Sequence, residues 1–129
     1  MQVDHIGYVV KSIEKSVMEF EKLGYAKNSD FFIDENRNVK IQFIKNNETV
    51  VELIEPMNEN ADAYAYYKKI NNGPYHICYK VKDIDNSIKQ FVRDGYLLVK
   101  EKEKAIAFDN KCVAFLFKNA IGLIELVEE

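Results

Sequence analysis

Several residue types are scarce in this chain of 129 residues, and each scarcity excludes a class of protein. The two cysteines, Cys78 and Cys112, are too few for a disulfide framework, so we expect free thiols within strands. No excess of positive charge exists, because the net charge is −3 with both signs mixed. This balance gives no reason to expect nucleic acid or a membrane surface as a partner.

Long apolar runs are also missing. No run approaches about 18 residues, and the N-terminus has no signal-peptide pattern. We therefore expect a soluble, cytoplasmic protein. Tryptophan is absent, but 47% of the residues are hydrophobic and 12% are aromatic, which is enough for a real core. Length and composition together predict one domain over residues 1–129.

Histidine is scarce as well, and its two copies begin the same stretch of sequence. His5 opens residues 5–25 (HIGYVVKSIEKSVMEFEKLGY), and His76 opens residues 76–96 (HICYKVKDIDNSIKQFVRDGY). Ten of the 21 aligned positions are identical, without a gap. We interpret this as one structural unit present twice, since repeat arrays need at least about three copies.

Each copy predicts the order β-α-β-β-β. A strand leads into a helix capped by Ser12 or Asp83 and followed by Gly24 or Gly95, and three strands follow. The connection, residues 57–73, has a tyrosine cluster at helical spacing; such a stripe is more often docked core than the cover of a cleft. The predicted strands are 3–10, 25–33, 39–43, 49–55, 75–81, 96–100, 112–117 and 123–127, with a partly charged loop of uncertain course at 101–110.

The ends of the two copies also correspond. Ile41 and Phe43 match Val113 and Phe115, and residues 51–55 (VELIE) resemble residues 124–128 (IELVE). The duplication therefore pairs Glu52 with Glu125, just as it pairs the two histidines. We interpret Glu55 and Glu128, on the opposite face of these strands, as ordinary strand residues.

Two imidazoles and two carboxylates make a plausible set of metal ligands: His5, Glu52, His76 and Glu125. Such donors suit borderline divalent ions, namely Ni²⁺, Co²⁺, Zn²⁺, Fe²⁺ or Mn²⁺. No cysteine is needed, which argues against a closed structural zinc site. Glu52, however, also fits an outward-facing residue of an alternating strand, and symmetric residues can be inherited without function. The residues alone leave both interpretations open.

Over nearly its whole length the chain resembles the vicinal oxygen chelate superfamily, also called the glyoxalase/bleomycin resistance/dioxygenase superfamily. This resemblance implies an α+β fold of two tandem βαβββ modules forming a curved mixed sheet, a half-barrel, with helices outside. The modules would span about 1–56 and 74–129. Metal ligands in this family come from the first, fourth, fifth and eighth strands, which here supply His5, Glu52, His76 and Glu125. The matching motifs are residues 4–7 (DHIG), 51–56 (VELIEP), 73–77 (GPYHI) and 122–126 (GLIEL).

Glyoxalase I and methylmalonyl-CoA epimerase are the family members that use such a quartet. The resemblance implies that one divalent ion, Ni²⁺, Co²⁺ or Zn²⁺ first, polarises substrate oxygens while a carboxylate moves a proton next to a carbonyl. Glu125 would be the base and Glu52 its symmetry mate. We expect a glyoxalase-I-like lactoylglutathione lyase acting on a hemithioacetal. The alternatives are an epimerase of acyl-CoA thioesters and a non-catalytic small-molecule binding or resistance protein. A homodimer is the expected assembly.

Some positions depart from these patterns. Val9 lies where many small glyoxalases carry an arginine that holds glutathione, and Tyr75 precedes His76 where epimerases often have a second histidine. Lys118 and Asn119 occupy the hairpin where epimerases often have His-Pro. Arg37 is one of only two arginines; we expect it in a solvated turn, with contact to a substrate anion as the alternative. Substrate identity therefore stays open.

Overall fold

The order of helices and strands repeats along the chain. A computed structural model describes all residues, 1–129. Two compact units are present: an N-terminal unit, His5–Tyr75, and a C-terminal unit, His76–Glu129 together with Met1–Asp4. The elements are β1 (Gln2–Val9), α1 (Ile13–Lys22), β2 (Ala26–Asp34), β3 (Val39–Asn46), β4 (Thr49–Pro56), α2 (Asp62–Ile70), β5 (Gly73–Val81), α3 (Ile84–Arg93), β6 (Leu97–Ala105), a short 3₁₀ turn (Ile106–Phe108), β7 (Lys111–Lys118) and β8 (Gly122–Glu128).

In the N-terminal unit the strand order is β2-β3-β4-β1. Strand β4 is central: it pairs antiparallel with β3 and parallel with β1. Helix α1 carries apolar side chains at helical spacing and covers the face of the sheet that bears Leu53. The buried cluster between helix and sheet consists of Val10, Ile13, Val17, Ile44, Val51 and Leu53.

The C-terminal unit has the same plan, with strand order β5-β8-β7-β6. Strand β8 pairs antiparallel with β7 and parallel with β5, as β4 does with β3 and β1. Helix α3 covers the face that bears Leu126. Its buried cluster consists of Val81, Ile84, Ala114, Leu116, Ile124 and Leu126.

Both covering helices begin and end as the sequence predicts. The Ser12 hydroxyl accepts a hydrogen bond from the Lys15 amide at 3.3 Å, and the Asp83 carboxylate accepts one from the Asn86 amide at 3.0 Å. Gly24 and Gly95 follow the helices with φ of +97° and +95°. Residues other than glycine rarely adopt this left-handed backbone conformation, which explains the glycine after the C-terminus of both helices.

The predicted fold class is confirmed: an α+β chain of two tandem βαβββ modules, each with a mixed sheet. The module limits given above stay a prediction. The expected loop at 101–110 was wrong in part, because β6 continues to Ala105 before the 3₁₀ turn. Residues 100–104 of this strand are all lysine or glutamate, although Lys100 and Glu103 are partly buried, so the charged sequence concealed the strand.

The connection contains the expected short helix, α2. The docked arrangement of its tyrosines is supported, since Tyr64, Tyr66 and Tyr67 are all half-buried. The Tyr66 ring lies 5.0 Å from that of Tyr75, centroid to centroid. Burial, together with the nearby Asp62 carboxylate, raises the pKa of the Tyr66 hydroxyl. No helix of the chain is both long enough and apolar enough to cross a membrane.

Replacing Leu126 tests this packing. Leu126 is fully buried beneath α3. We expect Leu126→Ala to lower the free energy of unfolding by about 2–5 kcal/mol, because a cavity remains that the neighbours fill only in part. The matched control is Leu97→Ala, because Leu97 is 65% exposed and its loss should cost less than about 0.5 kcal/mol. If urea unfolding shows an equal loss of unfolding free energy in Leu126→Ala and Leu97→Ala, the described core is contradicted.

Candidate metal centre

In the N-terminal unit, the parallel pairing of β1 with β4 brings a histidine beside a glutamate. Gly7 is the register partner of Glu52, and His5 precedes Gly7 by two residues on the same face of the strand. The His5 Nε2 atom lies 3.1 Å from the Glu52 Oε1 atom. This is hydrogen-bonding distance, so the imidazole and the carboxylate form a direct pair.

The C-terminal unit contains an equivalent pair. Cys78 is the register partner of Glu125 in the parallel pairing of β5 with β8, and His76 precedes Cys78 by two residues. The His76 Nε2 atom lies 3.2 Å from the Glu125 Oε1 atom. The same register, used twice, thus produces the same pair of functional groups twice.

All four side chains are buried. His5, Glu52, His76 and Glu125 are 1%, 2%, 4% and 0% exposed, respectively. Burying carboxylates among apolar strands is costly unless partners compensate the charge. The outward-facing interpretation of Glu52 is therefore wrong, because β4 is buried on both faces over four consecutive residues. Four buried ionisable groups at repeated positions are unlike the side chains of an ordinary strand surface.

Each pair also contacts a phenylalanine that the sequence analysis matched across the repeat without giving it a role. Phe43 is the register partner of Glu52, and its ring meets the His5 imidazole edge to face, 5.6 Å between centroids and 80° between planes. Phe115 is the register partner of Glu125 and meets His76 in the same way, at 5.3 Å and 88°. The matching positions in the repeat were the signal for these residues.

The other strand glutamates lie outside these pairs, as expected. The Glu55 Oε1 atom accepts a hydrogen bond from the Ile13 amide at 2.8 Å, at the start of α1. Its second carboxylate oxygen lies 3.6 Å from Lys40 Nζ.

A hydrogen bond to Glu128, followed by burial, raises the pKa of the Cys112 thiol. Both cysteines are free, which confirms that prediction.

Arg37 differs from its expected solvated state. Its side chain is only 16% exposed, and its Nε atom lies 3.8 Å from Oδ2 of the buried Asp34. The Arg37 backbone amide donates to the other oxygen of the same carboxylate, at 3.1 Å. The turn before β3 is thus closed by an aspartate–arginine interaction that sequence spacing alone did not show.

The donor set fits a divalent metal ion. Imidazole nitrogen and carboxylate oxygen are the ligands that borderline first-row ions accept together. The buried carboxylates supply negative charge that an ion would balance, and no thiolate is required. Each unit therefore offers one buried histidine–glutamate pair, His5 with Glu52 and His76 with Glu125, whose donors suit a divalent ion.

Comparison with known proteins agrees with these observations. The family model described as the glyoxalase/bleomycin resistance protein/dioxygenase superfamily matches residues 4–115. The chain belongs to this superfamily. Divalent metal ions are typical of its members. None of the curated proteins matches the chain.

Several solved structures share the fold of this chain. A hypothetical protein from Bacillus halodurans C-125 is 26% identical, with a TM-score of 0.87 over 99% of this chain and 94% of that one. Methylmalonyl-CoA epimerase from Mycobacterium tuberculosis is 21% identical, with a TM-score of 0.84 over 98% and 86%. A Streptomyces coelicolor methylmalonyl-CoA epimerase in complex with 2-nitronate-propionyl-CoA is 20% identical, with a TM-score of 0.87 over 100% and 94%.

Metal addition should stabilise the folded chain through these four residues. At a free Zn²⁺ or Co²⁺ concentration of about 100 times Kd, we expect the free energy of unfolding to rise by about 2.7 kcal/mol. His5→Ala and His76→Ala should lose this response, since each removes an imidazole ligand.

Glu55→Gln is the matched control, because it changes a strand glutamate outside both pairs. Its unfolding, followed by heating with and without metal after chelator treatment, should respond to metal as the unaltered chain does. A retained response in both histidine variants would contradict the assignment of the four ligands.

Proposed function

We propose that this chain is a metal-dependent enzyme that moves a proton at the carbon next to a carbonyl group. The observation that carries this proposal is the repeated buried pair, His5 with Glu52 and His76 with Glu125. We infer that the two pairs together hold one divalent ion. When bound, that ion would act as a Lewis acid that polarises the substrate oxygens.

The carboxylates supply the proton chemistry. Glu125 is the proposed base that removes the carbon-bound proton, and Glu52, its counterpart, is the second group able to accept or return a proton. Burial excludes water from both carboxylates, which protects a reactive carbanion-like species from side reactions and strengthens electrostatic effects at the site. The imidazole beside each carboxylate fixes its position.

Two substrate classes suit this chemistry. The structural comparisons favour an acyl-CoA thioester, because two of the similar folds are methylmalonyl-CoA epimerases and one of these is in complex with a propionyl-CoA analogue. An epimerase activity is thus our first candidate for the substrate. The hemithioacetal of glutathione and methylglyoxal, favoured by the sequence, is the second candidate, supported by the complete His/Glu/His/Glu set.

The direct test is turnover by metal-reconstituted protein. The chain is stripped with chelator, loaded separately with Ni²⁺, Co²⁺ and Zn²⁺, and assayed for methylmalonyl-CoA epimerisation and for lactoylglutathione formation. We expect metal-dependent turnover in one assay, and epimerisation in preference. Solvent deuterium should enter the product carbon, because the proton passes through a carboxylate. Absence of both activities, with tight binding of a small molecule left unaltered, would instead support a binding or resistance protein.

Glu125→Gln should lower turnover at least about 100-fold, because a neutral amide cannot accept the proton. Metal content is measured in the same variant, so that loss of the ion is distinguished from loss of the base. Glu128→Gln changes the other glutamate of β8 and should leave turnover within about twofold. Normal turnover by metal-loaded Glu125→Gln would remove Glu125 from the role of base.

The assembly and location stay proposals of the same kind. We propose a homodimer, as the family resemblance implies, and a cytoplasmic enzyme. Sedimentation of the metal-loaded chain at micromolar concentration tests the assembly, with a mass of two chains as the expected result and 15.0 kDa as the contradicting one.

A further inference from the structure

We propose that Phe43 and Phe115 are positioning residues that hold the imidazoles of His5 and His76 in the orientation needed for metal binding. This inference rests on the proposed function, since it concerns the same site. It adds a role for two residues that no family ligand pattern or sequence expectation assigned. The role is to keep each Nε2 atom directed at its glutamate and to keep water from the pair.

Strand register gives each phenylalanine its place. Phe43 lies opposite Glu52 in the antiparallel pairing of β3 with β4, and Phe115 lies opposite Glu125 in the pairing of β7 with β8. Opposite residues of an antiparallel pair share one face, with Cβ atoms about 5 Å apart. Each phenyl ring therefore lies on the same face as the carboxylate and borders the imidazole of the same pair.

Ring geometry restricts the imidazoles. The two contacts are nearly perpendicular, with interplanar angles of 80° and 88°. Aromatic rings prefer this edge-to-face arrangement, so turning the imidazole out of its plane would lose the favourable contact with the phenyl ring. The phenyl ring also offers no hydrogen-bond acceptor that could compete with the carboxylate for Nε2. Shape and chemistry thus favour a single orientation in both units.

The repeat argues against simple core filling. The positions two residues earlier on these strands are aliphatic in both units, Ile41 on β3 and Val113 on β7. In both units an aromatic ring occurs at the position that faces the glutamate, and both rings meet a histidine at nearly the same distance. If these positions only filled the core, an aliphatic side chain would serve equally well at 43 and 115, as it does at 41 and 113.

Metal affinity tests the role by a readout other than activity. We expect Phe43→Leu and Phe115→Leu each to raise the Kd for Zn²⁺ or Co²⁺ about 10- to 100-fold in calorimetric titration, the range typical of residues that orient metal ligands. Phe43→Tyr and Phe115→Tyr keep the ring and should bind within about threefold of the unaltered chain.

The chain offers matched controls. Phe20 meets Tyr25 and Phe91 meets Tyr96 edge to face, at 5.1 and 4.8 Å, with neither histidine in the contact. Phe20→Leu and Phe91→Leu remove a phenyl ring of the same kind from each unit, so they should lower stability and leave the metal Kd within about twofold. The inference would be overturned if metal binding weakened equally in these controls. It would also be overturned if Phe43→Leu and Phe115→Leu bound metal with unchanged affinity.

A measurement on the unaltered chain keeps the test decisive if a leucine variant does not fold. Nitrogen-15 spectra of the metal-free protein should show one set of imidazole signals for each histidine, with a single tautomer. Signals averaged between tautomers or ring orientations would overturn the inference. Absence of metal binding by the unaltered chain would instead contradict the proposed function, so the two failures are distinguishable.

Discussion

The parallel pairing of β1 with β4, repeated between β5 and β8, is the constraint on which the site depends. It sets a histidine two residues before the register partner of a glutamate, and the pleat then turns both side chains to one face. A slip of one residue would move the histidine to the opposite face of the sheet. The buried pair His5–Glu52 is therefore a consequence of register, and register is held by the apolar cluster beneath α1.

The two faces of each sheet have different roles, which explains why the sheet tolerates a buried histidine and glutamate. In each unit one face packs on a helix through an aliphatic cluster, and this face supplies the stability. The other face carries the imidazole, the carboxylate and the phenyl ring. Four buried ionisable groups lower the stability of the metal-free chain, and a bound cation would recover part of that loss. Binding of an ion at these residues would thus link metal binding to folding.

The sequence was sufficient for the fold class because the duplication is visible in it, and helix caps mark both copies. It was also sufficient to name four candidate ligands, since the only histidines are symmetry mates. It could not establish the burial of Glu52, because alternation in β4 looks the same whether one face or both are covered. The charged sequence concealed β6, and the Arg37–Asp34 interaction depends on turn geometry. Substrate specificity depends on contacts that sequence patterns do not encode.

Sharing of one ion by the two pairs is the central claim, and metal stoichiometry tests it most directly. The purified chain is titrated with Co²⁺ under competition from a chelator, and bound cobalt per chain is measured with the absorption spectrum of the site. The account predicts one cobalt per chain, with binding lost in both His5→Ala and His76→Ala. Two ions per chain, with each variant losing one and keeping the other, would contradict a shared site; no bound ion would contradict the metal centre itself.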